Sequence, residues 1–301
     1  MPRLTARDFH PDVLRLFDRY VHGEIPRRGF LQGASKLAAL SGASAAELLD
    51  MLNPRFAEAQ QVAPDDPRLV AHRIEVESPQ GSGVLRCYVA RPARGEGQTA
   101  GKLPTVLVVH ENRGLNPHIE DIARRLALEN FIALAPDALT SLGGYPGDED
   151  RARELFGRLD PKKSIEDFIA AALYLRNLPE GSGKLGAIGF CYGGGVVNTL
   201  AERLPELAAA TPFYGVAPDL ARVGAIRAEM QMHFAGDDPR VNATWPPYEA
   251  ALKAAGVRYE AFIYPNVQHG FNNDATPRFD AAAAKLAWGR SIDFFNRVLR
   301  G

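Results

Sequence analysis

The sequence predicts an α/β chain: a mostly parallel, doubly wound sheet flanked by helices, preceded by an N-terminal helical extension. Three observations predict it. Short apolar runs alternate with amphipathic stretches along most of the chain, the pattern of strand–helix–strand units. A glycine-rich turn joins one such strand to a helix at 189–195. Before residue 64 the apolar spacing is helical only.

The extension comes first. Residues 8–22 read as a helix with Leu14, Leu16, Phe17 and Val21 on one face, and two further helical stretches lie near 28–40 and 44–59. Pro64, Asp65, Asp66 and Pro67 break the pattern. The expected division is therefore an extension over 1–63 and a catalytic domain over 64–301. Pro26-Arg27-Arg28-Gly29-Phe30-Leu31 also resembles a twin-arginine export motif, with a small-residue stretch after it. Lys36 interrupts that stretch, and Glu47 and Asp50 close it with charge. A structured extension in a cytoplasmic protein is the first expectation, and a periplasmic protein with an export signal is the alternative.

In the second part, residues 70–77 and 83–91 read as a hairpin around Gln80-Gly81-Ser82. The stretch from Pro92 to Lys102 reads as a surface loop. Thr105-Val106-Leu107-Val108-Val109 is a continuous apolar run, suited to a strand covered on both faces. Helix 117–129, strand 131–135, helices near 148–158 and 162–178, and strand 184–189 follow. Helix 194–204, strands 209–214 and 229–235, helix 246–255, strand 258–263 and helix 277–299 complete the order. In such a sheet the loops at the carboxyl ends of the strands carry the chemistry.

Composition narrows the partners. The 301 residues include 35 basic and 36 acidic ones, a formal net charge of −1 that offers no single-sign field to nucleic acid or an anionic membrane. No apolar run is long enough to span a bilayer. The two cysteines, Cys87 and Cys191, form no CxxC pair or zinc-spaced cluster, so no structural zinc site is expected. A small molecule is the expected partner.

The turn Gly189-Phe190-Cys191-Tyr192-Gly193 has the G-x-S-x-G spacing of a nucleophile turn with cysteine at its centre. The glycines have a steric reason: the sharp bend forces the central residue into strained backbone, and side chains two residues away would collide. The helix that follows points its N-terminus at the turn, which favours a thiolate. After the strand at 229–235 comes Gly236-Asp237-Asp238-Pro239, where an acid that orients a histidine belongs; Asp238 is favoured over Asp237. His269 follows the next strand, in Gln268-His269-Gly270-Phe271. Nucleophile, acid and histidine thus occur in the chain order of α/β-hydrolases. The other six histidines fit less well. His72 and His233 lie inside strands, His10 and His22 lie in the extension, His118 opens a helix, and His110 ends a strand beside Glu111.

Together with Val109-His110-Glu111-Asn112-Arg113-Gly114-Leu115, these motifs resemble the dienelactone hydrolase (carboxymethylenebutenolidase) family over roughly residues 70–300. The resemblance implies an α/β-hydrolase fold and hydrolysis of an ester or lactone through a Cys191–His269–Asp238 triad, chemistry that needs no metal or organic cofactor. It also implies that Glu111 contacts the cysteine and helps generate its thiolate, and that the backbone N–H groups of Asn112 and Tyr192 form an oxyanion hole. One position departs from the family. Where its dienelactone enzymes place an arginine, four residues after the histidine, this chain has Asn273. Arg113, Arg151 and Arg278 are the candidate replacements, with Tyr145 and Trp245 as candidate pocket residues. A general carboxylesterase for uncharged esters is the alternative function, and a non-catalytic binding protein a more distant one. The extension's apolar faces need cover, either on its own domain or in a homodimer.

Overall fold

The computed structural model describes residues 4–56, 59–93 and 101–301. Most of the loop expected between Pro92 and Lys102, and two residues of the expected helix 44–59, lie outside the described residues. An eight-stranded sheet runs in the order β1-β2-β4-β3-β5-β6-β7-β8. Strands β1 (Leu69–Ser78) and β2 (Gly83–Pro92) form the antiparallel hairpin, and β2 also pairs antiparallel with β4 (Ile132–Pro136). From there β3 (Leu103–Val109), β5 (Gly181–Phe190), β6 (Leu207–Phe213), β7 (Glu229–Asp237) and β8 (Tyr259–Gln268) are parallel.

The apolar run in β3 shows why the sheet is covered on both faces. Leu107 and Val109 join the core on one side, with Phe168 and Leu200. Val106 and Val108 join the other, with Ile122 and Phe295. Both layers come from period-2 alternation along a single strand. The covering helices are α4 (Pro117–Leu128), α6 (Pro161–Arg176), α7 (Tyr192–Arg203) and α10 (Ala281–Arg300), with α5 (Glu149–Phe156), α8 (Pro239–Asn242) and α9 (Trp245–Ala255) in the connections.

The extension folds as α1 (Pro11–Val21), α2 (Arg27–Ser41) and α3 (Ala45–Leu52). Their apolar faces meet one another around Val13, Phe17, Tyr20, Phe30, Leu48 and Leu52. The need for cover is thus met largely inside the chain. Arg27 and Arg28 form the first turn of α2, and Arg27 pairs with Asp150. Gln60 to Val62 then straps onto α4. The Gln61 and Val62 amides donate to Asp121 Oδ1 at 3.0 and 2.8 Å, and Arg124 Nε donates to Val62 O at 2.9 Å.

Among the boundaries that differ from expectation, three have a plain local cause. α3 stops at Leu52, because Asn53 takes an extended conformation ahead of Pro54. α10 begins at Ala281, capped by the Asp280 side chain, so Arg278 precedes the helix and does not open it. β8 continues past Ile263 to Gln268, through Pro265. It is an edge strand with a register shift there, which tolerates the missing proline N–H. His269 therefore follows the strand directly.

Candidate active site

Cys191 sits between β5 and α7 with φ 55° and ψ −113°, the strained geometry that the turn requires. The crowding that excludes side chains from its flanks is measurable. A Cβ on Gly189 would lie 2.2 Å from Gly193 O, and one on Gly193 would lie 2.2 Å from Val109 O. The bend lifts the sulfur to the carboxyl edge of the sheet, over the N-terminus of a twelve-residue helix.

The acid and the histidine arrive from the next two strand ends. Asp238 follows β7, and its Oδ2 accepts a hydrogen bond from His269 Nδ1 at 2.6 Å while its Oδ1 accepts from Val241 N at 3.2 Å. Both side chains are buried, at 2% and 3% exposure. Asp237 instead faces outward and holds Gln268. Burial pushes the Asp238 carboxyl up, but the His269 hydrogen bond and charge outweigh it and hold it below the usual range. Burial likewise opposes a charged His269, yet the nearby Cys191 thiolate and Asp238 raise it to about 10. For Cys191, burial opposes ionisation, and the imidazoles of His269 and His22 overcome it, lowering the thiol to about 6.

His22 is the residue that the sequence does not single out. It lies just past the end of α1, and its Nε2 is 3.5 Å from Cys191 Sγ and 3.3 Å from His269 Nε2. A helix-spaced Asp18-x-x-x-His22 pair is the only signal that marks it, since i,i+4 spacing puts carboxylate and imidazole on one face. The extension reaches the site through polar contacts. Asn112 Nδ2 donates to Val21 O at 2.5 Å, Tyr20 Oη to Asp150 at 2.8 Å, and Arg278 Nη1 to Asp18 Oδ1 at 3.2 Å.

Glu111 is buried beside Asn273, the residue at the position of the family's arginine. Its Oε2 accepts a 2.6 Å hydrogen bond from Asn273 Nδ2, while the imidazoles of His22 and His269 act on the sulfur. Asn273 does not merely replace an arginine; it occupies the glutamate.

A cavity of about 460 Å³ opens over the sulfur, lined by His22, Asn112, Phe156, Tyr192, Tyr214 and Arg240 among others. Asn112 and Tyr192 both border it. The five candidate substrate residues do not line it. Arg113 is buried against Glu149, 3.4 Å away. Arg151 is exposed and pairs with Glu154. Arg278 is taken by Asp18. Tyr145 bonds Glu149, and Trp245 packs on Phe234 and Tyr259. The arginines on the wall are Arg153 and Arg240, whose Nε atoms are buried without a hydrogen-bond partner among the described residues.

The Cys191 sulfur and the ring nitrogens of His22 and His269 lie within 4.8 Å of one another, a donor set of the kind that binds zinc. Arg240 Nη2, 2.9 Å from His22 Nε2, puts a fixed positive charge beside the place a cation would take. The set therefore does not fit a resident metal.

A sheet of this order, with a strained nucleophile turn and an acid–histidine pair after its last two strands, defines an α/β-hydrolase. The chain belongs to the dienelactone hydrolase family, whose model matches residues 85–299. Residues 1–39 match a separate model described as YqhI-like. A relative from Escherichia coli K12, provisionally named carboxymethylenebutenolidase, is 31% identical over 78% of this chain and 89% of its own. A hydrolase fragment named YghX, from the same organism, is 52% identical over 39% of this chain and 97% of its own. A dienelactone hydrolase structure from Klebsiella pneumoniae, itself provisionally assigned, superposes with a TM-score of 0.66 at 27% identity, over 76% of this chain and 99% of that one. The promiscuous phosphotriesterase P91 shares the fold, with a TM-score of 0.66 at 24% identity over 77% of this chain and 99% of its own.

Proposed function

We propose that this hydrolase cleaves a carboxylic ester or lactone through a cysteine acyl-enzyme. The observation that carries the reading is the buried 2.6 Å bond from His269 Nδ1 to Asp238, which leaves the other ring nitrogen facing Cys191 on its strained turn. The thiolate attacks the substrate carbonyl, and the oxyanion is received by the backbone N–H groups of Tyr192 and Asn112. His269 gives its Nε2 proton to the leaving oxygen, with Asp238 stabilising the imidazolium meanwhile. It then takes a proton from water, and the hydroxide displaces sulfur from the thioester. These steps call on no cofactor.

The cavity wall favours acyl groups that carry a negative charge. Arg153 and Arg240 each hold a buried Nε without a partner, and an unsatisfied buried donor is costly unless a ligand meets it. Intact-mass measurement after mixing with an aryl ester tests the chemistry. A transient adduct of the acyl mass on wild type, absent in Cys191→Ala, is expected. Wild-type turnover by Cys191→Ala would show the nucleophile to be another group.

A further inference from the structure

His22 comes from outside the hydrolase domain, yet it is arranged as His269 is. Its Nδ1 lies 2.8 Å from Asp18 O and 3.3 Å from Asp18 Oδ1, so the Nδ1 proton is held there and Nε2 turns to the cavity. Asp238–His269 and Asp18–His22 thus converge on one sulfur from opposite elements, with the two rings 4.6 Å apart and perpendicular. Side-chain exposure at His22 is only 11%.

We infer that His22 is a second proton acceptor for the Cys191 thiol, so that the YqhI-like extension supplies a catalytic residue to the hydrolase site. The inference rests on the acyl-enzyme reading above. The S–H bond breaks, its electron pair stays on sulfur, and the proton goes to the pair of Nε2 atoms, which are close enough to pass it between them; while it rests on His22, Arg240 Nη2 gives up the hydrogen bond it donates to that nitrogen. His269 then delivers that proton to the leaving oxygen as the C–O bond breaks. In the second half, water yields a proton to His269, its oxygen bonds the acyl carbon, and the C–S pair returns to sulfur. With Glu111 occupied by Asn273, the second imidazole does the work that a carboxylate near the thiol would do.

The groups around His22 set the balance. Burial opposes the charged form of His22, but the Cys191 thiolate and Asp18 on its own helix outweigh it and raise the imidazole above its ordinary value; a charged His269 opposes it, and Arg240 from α8 donates to the ring. Arg278 binds the far side of Asp18, Glu24 and Arg153 border the same cavity, and Tyr214 packs on His269.

The test is the pH dependence of Cys191 alkylation by iodoacetamide in the full-length chain, which needs no substrate. His22→Gln is expected to move the thiolate midpoint up from about pH 6 by about one unit, which is about fivefold slower alkylation at pH 6. Asp18→Asn should move it the same way by less, and free imidazole should restore part of the rate of His22→Ala. In ester hydrolysis the loss should fall on kcat and not on KM. Alkylation profiles of His22→Gln and Asp18→Asn that superimpose on wild type would overturn the inference, as would a loss confined to KM. If His22→Gln fails to fold, the isosteric Asp18→Asn profile decides alone. An acyl adduct missing from wild type would instead sink the acyl-enzyme reading and leave the alkylation shift standing.

Discussion

The two histidines at Cys191 are held by different kinds of structure. His269 and Asp238 are fixed at the ends of β8 and β7, adjoining a sheet whose strands are covered on both faces. His22 is carried by a small helical unit with its own apolar core, joined to the hydrolase largely through hydrogen bonds and ion pairs. Packing of the first kind opens only with global unfolding, whereas polar docking opens locally and weakens with salt and pH. The same chemical group can therefore be a permanent part of the site in one place and a conditional one in the other.

The largest effect that tests this contrast is the removal of each ring in turn. His269→Ala is expected to lower kcat by about 10²–10⁴-fold, the range for losing a positioned acid–base group, with His22→Ala costing far less. Steady-state kinetics on one aryl ester decides it, and equal losses would erase the distinction. Next comes the turn itself. Gly193→Ala would press a Cβ against Val109 O and should destabilise the hydrolase domain by about 1–3 kcal/mol, measured by urea unfolding. A substitution there that leaves both stability and rate unchanged would mean that the turn is less crowded than its geometry indicates.

The unequal legibility of the two regions follows from the same difference. The sheet could be read because a buried parallel strand leaves a continuous apolar run, as at 105–109, and because the turn at Cys191 admits only glycine at fixed spacing. Between Asp238 and Asp237 the sequence offers only their place after the strand, whereas in the structure one acid faces His269 and the other faces Gln268. His22 could not be read, because its meaning depends on how α1 docks, and docking through scattered polar contacts leaves no periodic trace. The arginines failed for a related reason. Arg113, Arg151 and Arg278 all lie near the right motifs, but ion pairing with Glu149, Glu154 and Asp18 decides where they point. The bond between Glu111 and Asn273 could not be read either, because it joins residues 162 positions apart that share no motif.

Acidity should separate the regions more finely. Burial pushes Asp18 up, but His22, His269 and Arg278 together hold its carboxyl well below the usual range. A depressed carboxyl contributes stability above its unfolded pKa of about 4, and that contribution is lost as pH falls towards the folded value. The extension is therefore expected to loosen below about pH 4, before the sheet does. Hydrogen exchange should show α1 losing protection while β5 and β6 keep theirs. Activity has its own window. The thiolate requires pH above about 6, and the His269 charge that accompanies it is lost as pH rises through about 10, so kcat/KM should plateau between them. A single acid limb near the ordinary thiol range would show that neither imidazole acts on the sulfur.

The smallest effect concerns the wall that the two regions share. Arg240 comes from the hydrolase side, and its Nη2 donates to His22 of the extension while its Nε is buried without a partner. Arg240→Gln keeps a donor near His22 but removes the charge. If an anionic acyl group sits against this arginine, the substitution should raise KM for a carboxylate-bearing ester several-fold more than for its neutral methyl ester, with kcat for both nearly unchanged, because a uniform binding contact is lost. If KM for the two esters shifts equally, Arg240 acts through His22 alone, and the wall belongs to the docking of the extension and not to the substrate.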